Sequence, residues 1–159
     1  MPIRKIPLAS NEIYHVYNRG VEHRPIFLNK EDYKRALESL TFYQFRDPPL
    51  SFSHVARLTI NDREEMLLRF FTQSPKLVGI LCFSLMPNHF HILLKQLVDN
   101  GISKCVGNFI NSYTRYFNTR HERNGHLFQG QFKAVRIETD EQLIHLSRYI
   151  HLNPVTSYL

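Results

Sequence analysis

Apolar positions along the chain follow two periods, one suited to strands and one to helices. Residues 12–18 (EIYHVYN) are rich in Tyr, Val and Ile and run up to Gly20, which predicts a first strand. Asn29 then stands as an N-cap before KEDYKRALESLTFYQF, where Tyr33, Leu37 and Leu40 recur at helical spacing until Asp47-Pro48-Pro49. KLVGILCFSLM is nearly all apolar between Pro75 and Pro87 and predicts a buried strand. The turn Met86-Pro87-Asn88 joins this strand to another over 89–96, and the two are expected to form a hairpin. After Asp99-Asn100-Gly101, the stripe Ile102, Val106, Phe109, Ile110, Tyr113 and Phe117 predicts a long helix to about Arg123. Residues 127–137 resume as strand. Thr139 and Gln142 form a capping box for a last helix that is expected to stop near Leu152, ahead of Pro154.

The stretch between Pro49 and Pro75 fits this scheme less well. It reads as an elaboration holding a short strand (53–60) and a short helix (62–71). The resulting order, β-α-(insert)-β-β-α-β-α, predicts an α+β fold: a ferredoxin-like antiparallel sheet with helices packed on one face. Residues 1–159 are expected to form one domain with an insertion around 49–75, with no internal repeat or linker.

Composition narrows the class. Hydrophobic residues make up 43% of 159, too many for a disordered chain. The longest apolar run, 78–86, is too short to span a bilayer and contains Gly79 and Ser84, so no membrane role is expected. The first residues carry basic side chains without an apolar core, which argues against a signal peptide. With only Cys82 and Cys105, a disulfide framework is not expected, and the reading is a cytoplasmic protein. The formal net charge of +6 directs attention to polyphosphate partners.

That charge is concentrated. From Lys104 to Arg136 the cations are Lys104, Arg115, Arg120, Arg123, Lys133 and Arg136, and Glu122 is the only acid. Tyr113, Tyr116, Phe117, Phe128 and Phe132 are interleaved with them. Cations among aromatic rings suit single strands and hairpins, where phosphates meet the charge and unstacked bases meet the rings. A plain solvated helix face would mix both signs.

Nine histidines are present, and His89-Phe90-His91 stands apart. In a strand, residues i and i+2 share a face, so the two imidazoles converge while Phe90, Ile92 and Leu94 take the other side. Such a pair can bind a divalent metal, yet on spacing alone two ordinary half-exposed histidines are the simpler reading. In the last helix Tyr149 and Asn153 share one face at i and i+4, with His145 on the same stripe and Leu143, Leu146 and Ile150 left for packing. A tyrosine hydroxyl beside a metal-bound phosphate would make a nucleophile; by periodicity alone, Tyr149 reads as an amphipathic residue at the sheet edge. Tyr113 and Tyr116 are rival nucleophiles on the basic helix, Tyr113 on its apolar stripe and Tyr116 available to stack on a base.

Four segments together, YHVYNRGVEHRPIF, FSLMPNHFHILLK, SYTRYFNTRHERNGHLFQGQFKAVRI and LSRYIHLNP, resemble the single-tyrosine HUH transposases (His-hydrophobic-His), in particular the REP-associated branch of the IS200-like superfamily. They span residues 14–154 apart from the insert. The resemblance implies the HUH endonuclease fold, His89 and His91 as the metal pair, Asn153 completing that site, and Tyr149 as the catalytic tyrosine. It implies Mg²⁺ or Mn²⁺ as cofactor and contact of Asn18 and Arg19 with DNA. The partner it implies is single-stranded DNA carrying imperfect hairpins, cut through a 5′-phosphotyrosine link with release of a 3′-OH. Monomers and homodimers both occur in such a family. Two other classes remain open at this stage: a domesticated hairpin DNA- or RNA-binding protein without cleavage, and a metal-dependent phosphodiesterase using water. Many REP-associated members continue into a further C-terminal segment, whereas this sequence has five residues after Pro154.

Overall fold

The structure is a computed structural model that describes residues 7–156, with side chains through residue 154. The opening residues 1–6, on which the signal-peptide reading rests in part, lie outside the described residues, as do 157–159. Four strands, β1 (Ile13–Arg19), β2 (Val78–Met86), β3 (His89–Gln96) and β4 (Lys133–Arg136), form one antiparallel sheet in the order β2-β3-β1-β4. Five helices accompany it: α1 (Lys30–Tyr43), α2 (Phe52–Val55), α3 (Ile60–Gln73), α4 (Gly101–Arg120) and α5 (Asp140–Thr156). The expected α+β antiparallel sheet is therefore what the chain forms. None of these helices is long and apolar enough to cross a membrane.

Strand alternation divides the sheet into two unlike faces. On one, Tyr14, Val16 and Asn18 of β1 lie opposite Leu94, Ile92 and Phe90 of β3, and all six are buried. The stripe Ile102, Cys105, Val106, Phe109, Tyr113 and Phe117 of α4 closes this face together with Ala36 and Leu40 of α1. On the other face lie Ile13, His15, Tyr17, His89, His91 and Leu93. A bulge between Ile80 and Cys82 switches the phase of β2, so that Cys82, Ser84 and Met86 pair with Leu93, His91 and His89 on this second face.

Here one expectation needs correction. α1 and α4 share a face as predicted, but α5 lies across the other, where Ile150 packs with Cys82 and Leu93, and Leu143 and Leu146 pack beside Ile13 and Ile137. The apolar stripe of α5 is narrow, and Leu93 and Cys82 on the histidine side give it a matching apolar strip. Its start is capped as expected: Gln142 N–H donates to Thr139 Oγ1 at 3.2 Å, while Gln142 Oε1 accepts from Glu138 N–H at 2.8 Å. The helix passes Leu152 and continues through Pro154 to Thr156, because a proline in the last turn removes only one ladder hydrogen bond.

The insert also differs from expectation. No strand forms over 53–60; α2 occupies its start, and α3 runs longer than 62–71. Ser51 and Thr59 are the reason, since each accepts from a backbone N–H three residues on and so starts a helix. Phe42, Phe45, Phe52 and Phe70 then form a separate aromatic cluster under the insert. The expected strand 127–137 is confined to β4: Gly130 turns the chain at φ +67°, and before it only an isolated bridge joins Phe128 to Gly20.

Candidate active site

His89 and His91 project from β3 onto the face covered by α5, half-buried, with ring centroids 5.0 Å apart. Arg19 and Tyr17 of β1 pair opposite them across the sheet. The two-residue turn before His89 is clamped from outside. Pro87 carbonyl accepts from Ile26 and Phe27 N–H, and Asn88 carbonyl accepts from Gly20 N–H at 2.8 Å. Gly20 fits there because it lacks a side chain: a Cβ would lie 2.2 Å from the Arg24 carbonyl oxygen.

Each histidine of the pair has a polar neighbour. His89 Nδ1 lies 2.6 Å from Asn88 Oδ1, and His91 Nδ1 lies 2.8 Å from His15 Nε2. His15 stacks on His91 at 5.0 Å, with Tyr17 packed against both rings. Burial lowers the pKa of all three imidazoles. That of His91 falls to about 4, through burial first and then the neighbouring His15 and His89. Neutral imidazoles are the form that binds a cation.

Tyr149 reaches this group from α5. Its ring meets His91 edge-on at 5.7 Å, and the side chain is 52% exposed. With His15, Arg136 and His145 it lines a shallow depression beside the histidines. Asn153 follows one turn later, half-buried. Of the two neighbouring histidines, His145 is exposed, and His151 donates from Nδ1 to the Ser147 carbonyl at 2.7 Å.

The donor chemistry fits a divalent cation at an open site. His89 and His91 supply two imidazoles on one face, and Asn153 shares a helix face with Tyr149, which lies against His91. Among the described residues, no group of three or more His, Cys, Asp or Glu side chains could hold a metal ion.

The cations singled out in the sequence separate into two groups. Asn18, Arg19 and Lys133 line a cleft of about 500 Å³ together with Tyr17, His89 and His91. Arg19 donates to Gln129 at 2.5 Å, and buried Asn18 spans from Gly130 carbonyl to Arg19 N–H. Arg136 stands beside Tyr149 and pairs with Glu12 at 2.9 Å. Lys104, Arg115, Tyr116, Arg120 and Arg123 belong to α4 and the turn after it, on the far side of the sheet. There a fully buried carboxylate, Asp32, receives the Tyr116 hydroxyl at 3.1 Å and lies 3.1 Å from His121 Nε2 and 3.9 Å from Arg120 Nε. Arg123 ties down its own loop through Asn118 and the His126 carbonyl. Arg115 and Lys104 are exposed.

Neither rival tyrosine stands near the histidines. Tyr113 is buried and donates to the Ile26 carbonyl; burial and then the charge of Asp32 push its pKa up. Burial raises that of Tyr116 also, followed by its hydrogen bond to Asp32, and the Arg35 guanidinium lies 5.0 Å from its ring centre. No local sequence motif marks His15, Tyr17, Asn88 or Gln129 as part of this site. The first two alternate in phase with a histidine-bearing face, but only the β1–β3 register brings them to it.

Comparison with known proteins bears on the fold and the family. The chain is similar, over 99% of its length and 74% of the other, to the structure of a REP-associated tyrosine transposase bound to a REP hairpin, at a TM-score of 0.59 and 14% identity. It is also similar to a provisionally named transposase from Deinococcus radiodurans, with 94% and 96% of the two chains covered, a TM-score of 0.49 and 10% identity. No curated protein matches the sequence. The family model described as "Transposase IS200 like" matches residues 58–153, more than half of the chain, from the insert through both histidines to Asn153, and the protein belongs to that family.

Proposed function

We propose that this transposase cuts and rejoins single-stranded DNA beside imperfect hairpins, with Tyr149 as the nucleophile and His89, His91 and Asn153 as the metal-binding residues. The observation that carries this reading is the edge contact of Tyr149 with His91, at 5.7 Å, beside a cleft that also holds Arg19 and Lys133. A Mg²⁺ or Mn²⁺ ion bound there supplies positive charge for the non-bridging oxygens of the scissile phosphate. Tyr149 Oη gives up its proton and forms a bond to phosphorus as the bond from phosphorus to the 3′ oxygen breaks. The 3′ oxygen leaves as a hydroxyl, and the 5′ end stays on the protein as a phosphotyrosine ester. Since one phosphodiester is exchanged for another, a free 3′-OH can later attack the ester and rejoin the strand without ATP.

Arg19 and Lys133 hold the DNA backbone along the cleft, and Tyr17 offers a ring to an unstacked base. The solved relative bound to a REP hairpin supports a hairpin as the partner here. We take Tyr149 to act in cis within a monomer, with exchange of α5 between two copies as the alternative. Residues 1–159 act as one domain, with α2 and α3 as an elaboration on it.

The test is a covalent-adduct assay. Protein, Mn²⁺ or Mg²⁺ and labelled single-stranded hairpin DNA from the ends of its own locus are incubated and run on a denaturing gel. A slow band in the wild type, absent in Tyr149→Phe and His89→Ala, supports the reading. Cleavage with no adduct would favour hydrolysis by water. Tight hairpin binding with neither, across metals and flanking sequences, would leave a binding protein.

A further inference from the structure

We infer that Asn88 and His15 are positioning residues for the histidine pair: each engages one Nδ1, leaving both Nε2 atoms as the ligand atoms for a divalent cation. The inference rests on the proposed metal role of His89 and His91 and extends it to two residues outside that set.

For His89 the proton position follows from its partner. Asn88 Nδ2 faces the His23 carbonyl at 3.4 Å, which orients the amide and leaves Oδ1 towards His89 Nδ1 at 2.6 Å. An amide oxygen can only accept, so Nδ1 carries the hydrogen and Nε2 keeps its lone pair. Asn88 is itself fixed, since its carbonyl accepts from Gly20 N–H in the clamped turn.

For His91 the partner is His15, whose Nε2 lies 2.8 Å from Nδ1. One of these two nitrogens donates to the other; we assign the hydrogen to His91 Nδ1, which puts the lone pair of His91 on Nε2. The contact occupies Nδ1 of His91, which makes His15 an outer partner of the pair and not a third ligand. Tyr17 packs on both rings, at 4.9 Å from His15 and 5.9 Å from His91, and limits their rotation. Outer partners of this kind fix the tautomer and ring orientation of a metal-binding imidazole, and losing one typically weakens metal affinity about 10–100-fold.

The test titrates Mn²⁺ into DNA-free, metal-free protein and follows the free ion by electron paramagnetic resonance. His15→Leu and Asn88→Ala are expected to weaken binding by about 10–100-fold. His15→Gln, which puts an acceptor where Nε2 stood, and Asn88→Asp are expected to bind close to wild type. Wild-type affinity in both His15→Leu and Asn88→Ala would overturn the inference. Long-range ¹H–¹⁵N spectra of the wild-type metal-free protein give an independent answer if a variant fails to fold. Nδ1–H with a bare Nε2 is expected at both histidines, and a protonated Nε2 at either would overturn the assignment for that residue. His91→Ala separates the two levels: unchanged Mn²⁺ affinity there would remove the metal site itself, while the tautomers would still decide whether His15 and Asn88 set the rings.

Discussion

β3 presents two different surfaces from eight consecutive residues. Phe90, Ile92 and Leu94 face a closed apolar layer under α1 and α4 and are fully buried. His89 and His91 face a side that α5 covers only in part, held there by Ile150, Leu143 and Leu146. The first face holds the sheet together. The second leaves polar groups half-exposed and addressable, and its one helix carries Tyr149 at the border. A rigid strand thus serves as support for the site it carries, which fixes the imidazoles to a backbone that has little freedom to move.

Substitutions on the two faces should therefore fail in different ways. The largest effect is expected from Tyr149→Phe: adduct formation on hairpin DNA drops below detection, while the melting temperature and metal-free hairpin binding stay at wild-type values. Complementation follows. A mixture of Tyr149→Phe and His91→Ala chains should stay inactive if the tyrosine acts in cis, whereas recovered cleavage would show that α5 is exchanged between copies. On the apolar face, Phe109→Ala should cost about 3–5 kcal/mol of stability in urea unfolding. Its remaining folded fraction should still form adduct.

Smaller effects sharpen the division between the cleft and α4. Lys133→Ala should weaken hairpin binding and flatten its dependence on log salt by roughly 0.7–0.9 for each phosphate that is no longer neutralised. Arg120→Ala should change the slope less, because Arg120 is drawn 3.9 Å from buried Asp32. The smallest concerns acid. His91 has its pKa lowered from 6.5 to about 4, so between those values the unfolded chain takes up a proton that the folded chain excludes. Stability should fall as pH drops through that window, and His91→Gln should show a shallower fall in thermal melts between pH 7 and 4.

How much of this could be read in the sequence depends on the range of the forces involved. β3 is found over the residues expected, and the cap of α5 at Thr139 is confirmed, since both are written in local pattern. The insert departs from its expected elements because its apolar residues suit either kind, and the caps at Ser51 and Thr59 decide for helices. The face that α5 covers was not legible: it depends on a bulge in β2 and on where Leu93 points, neither of which is local to α5. Asp32 shows the same limit for charge. Along the chain the α4 region looks short of acids, yet a carboxylate 84 residues before Tyr116 is folded in beside it. His15 is one of nine histidines in the sequence, and only strand register places its ring on His91.

The most direct measurement of the central claim is mass spectrometry of the covalent adduct. Wild-type protein is reacted with Mn²⁺ and a hairpin substrate, digested with nuclease and protease, and the modified peptide is sequenced. The expected product is a nucleotide joined through its 5′-phosphate to Tyr149 and to no other residue. Attachment at Tyr113, Tyr116 or Tyr17, or cleavage that leaves no modified peptide, would contradict the claim.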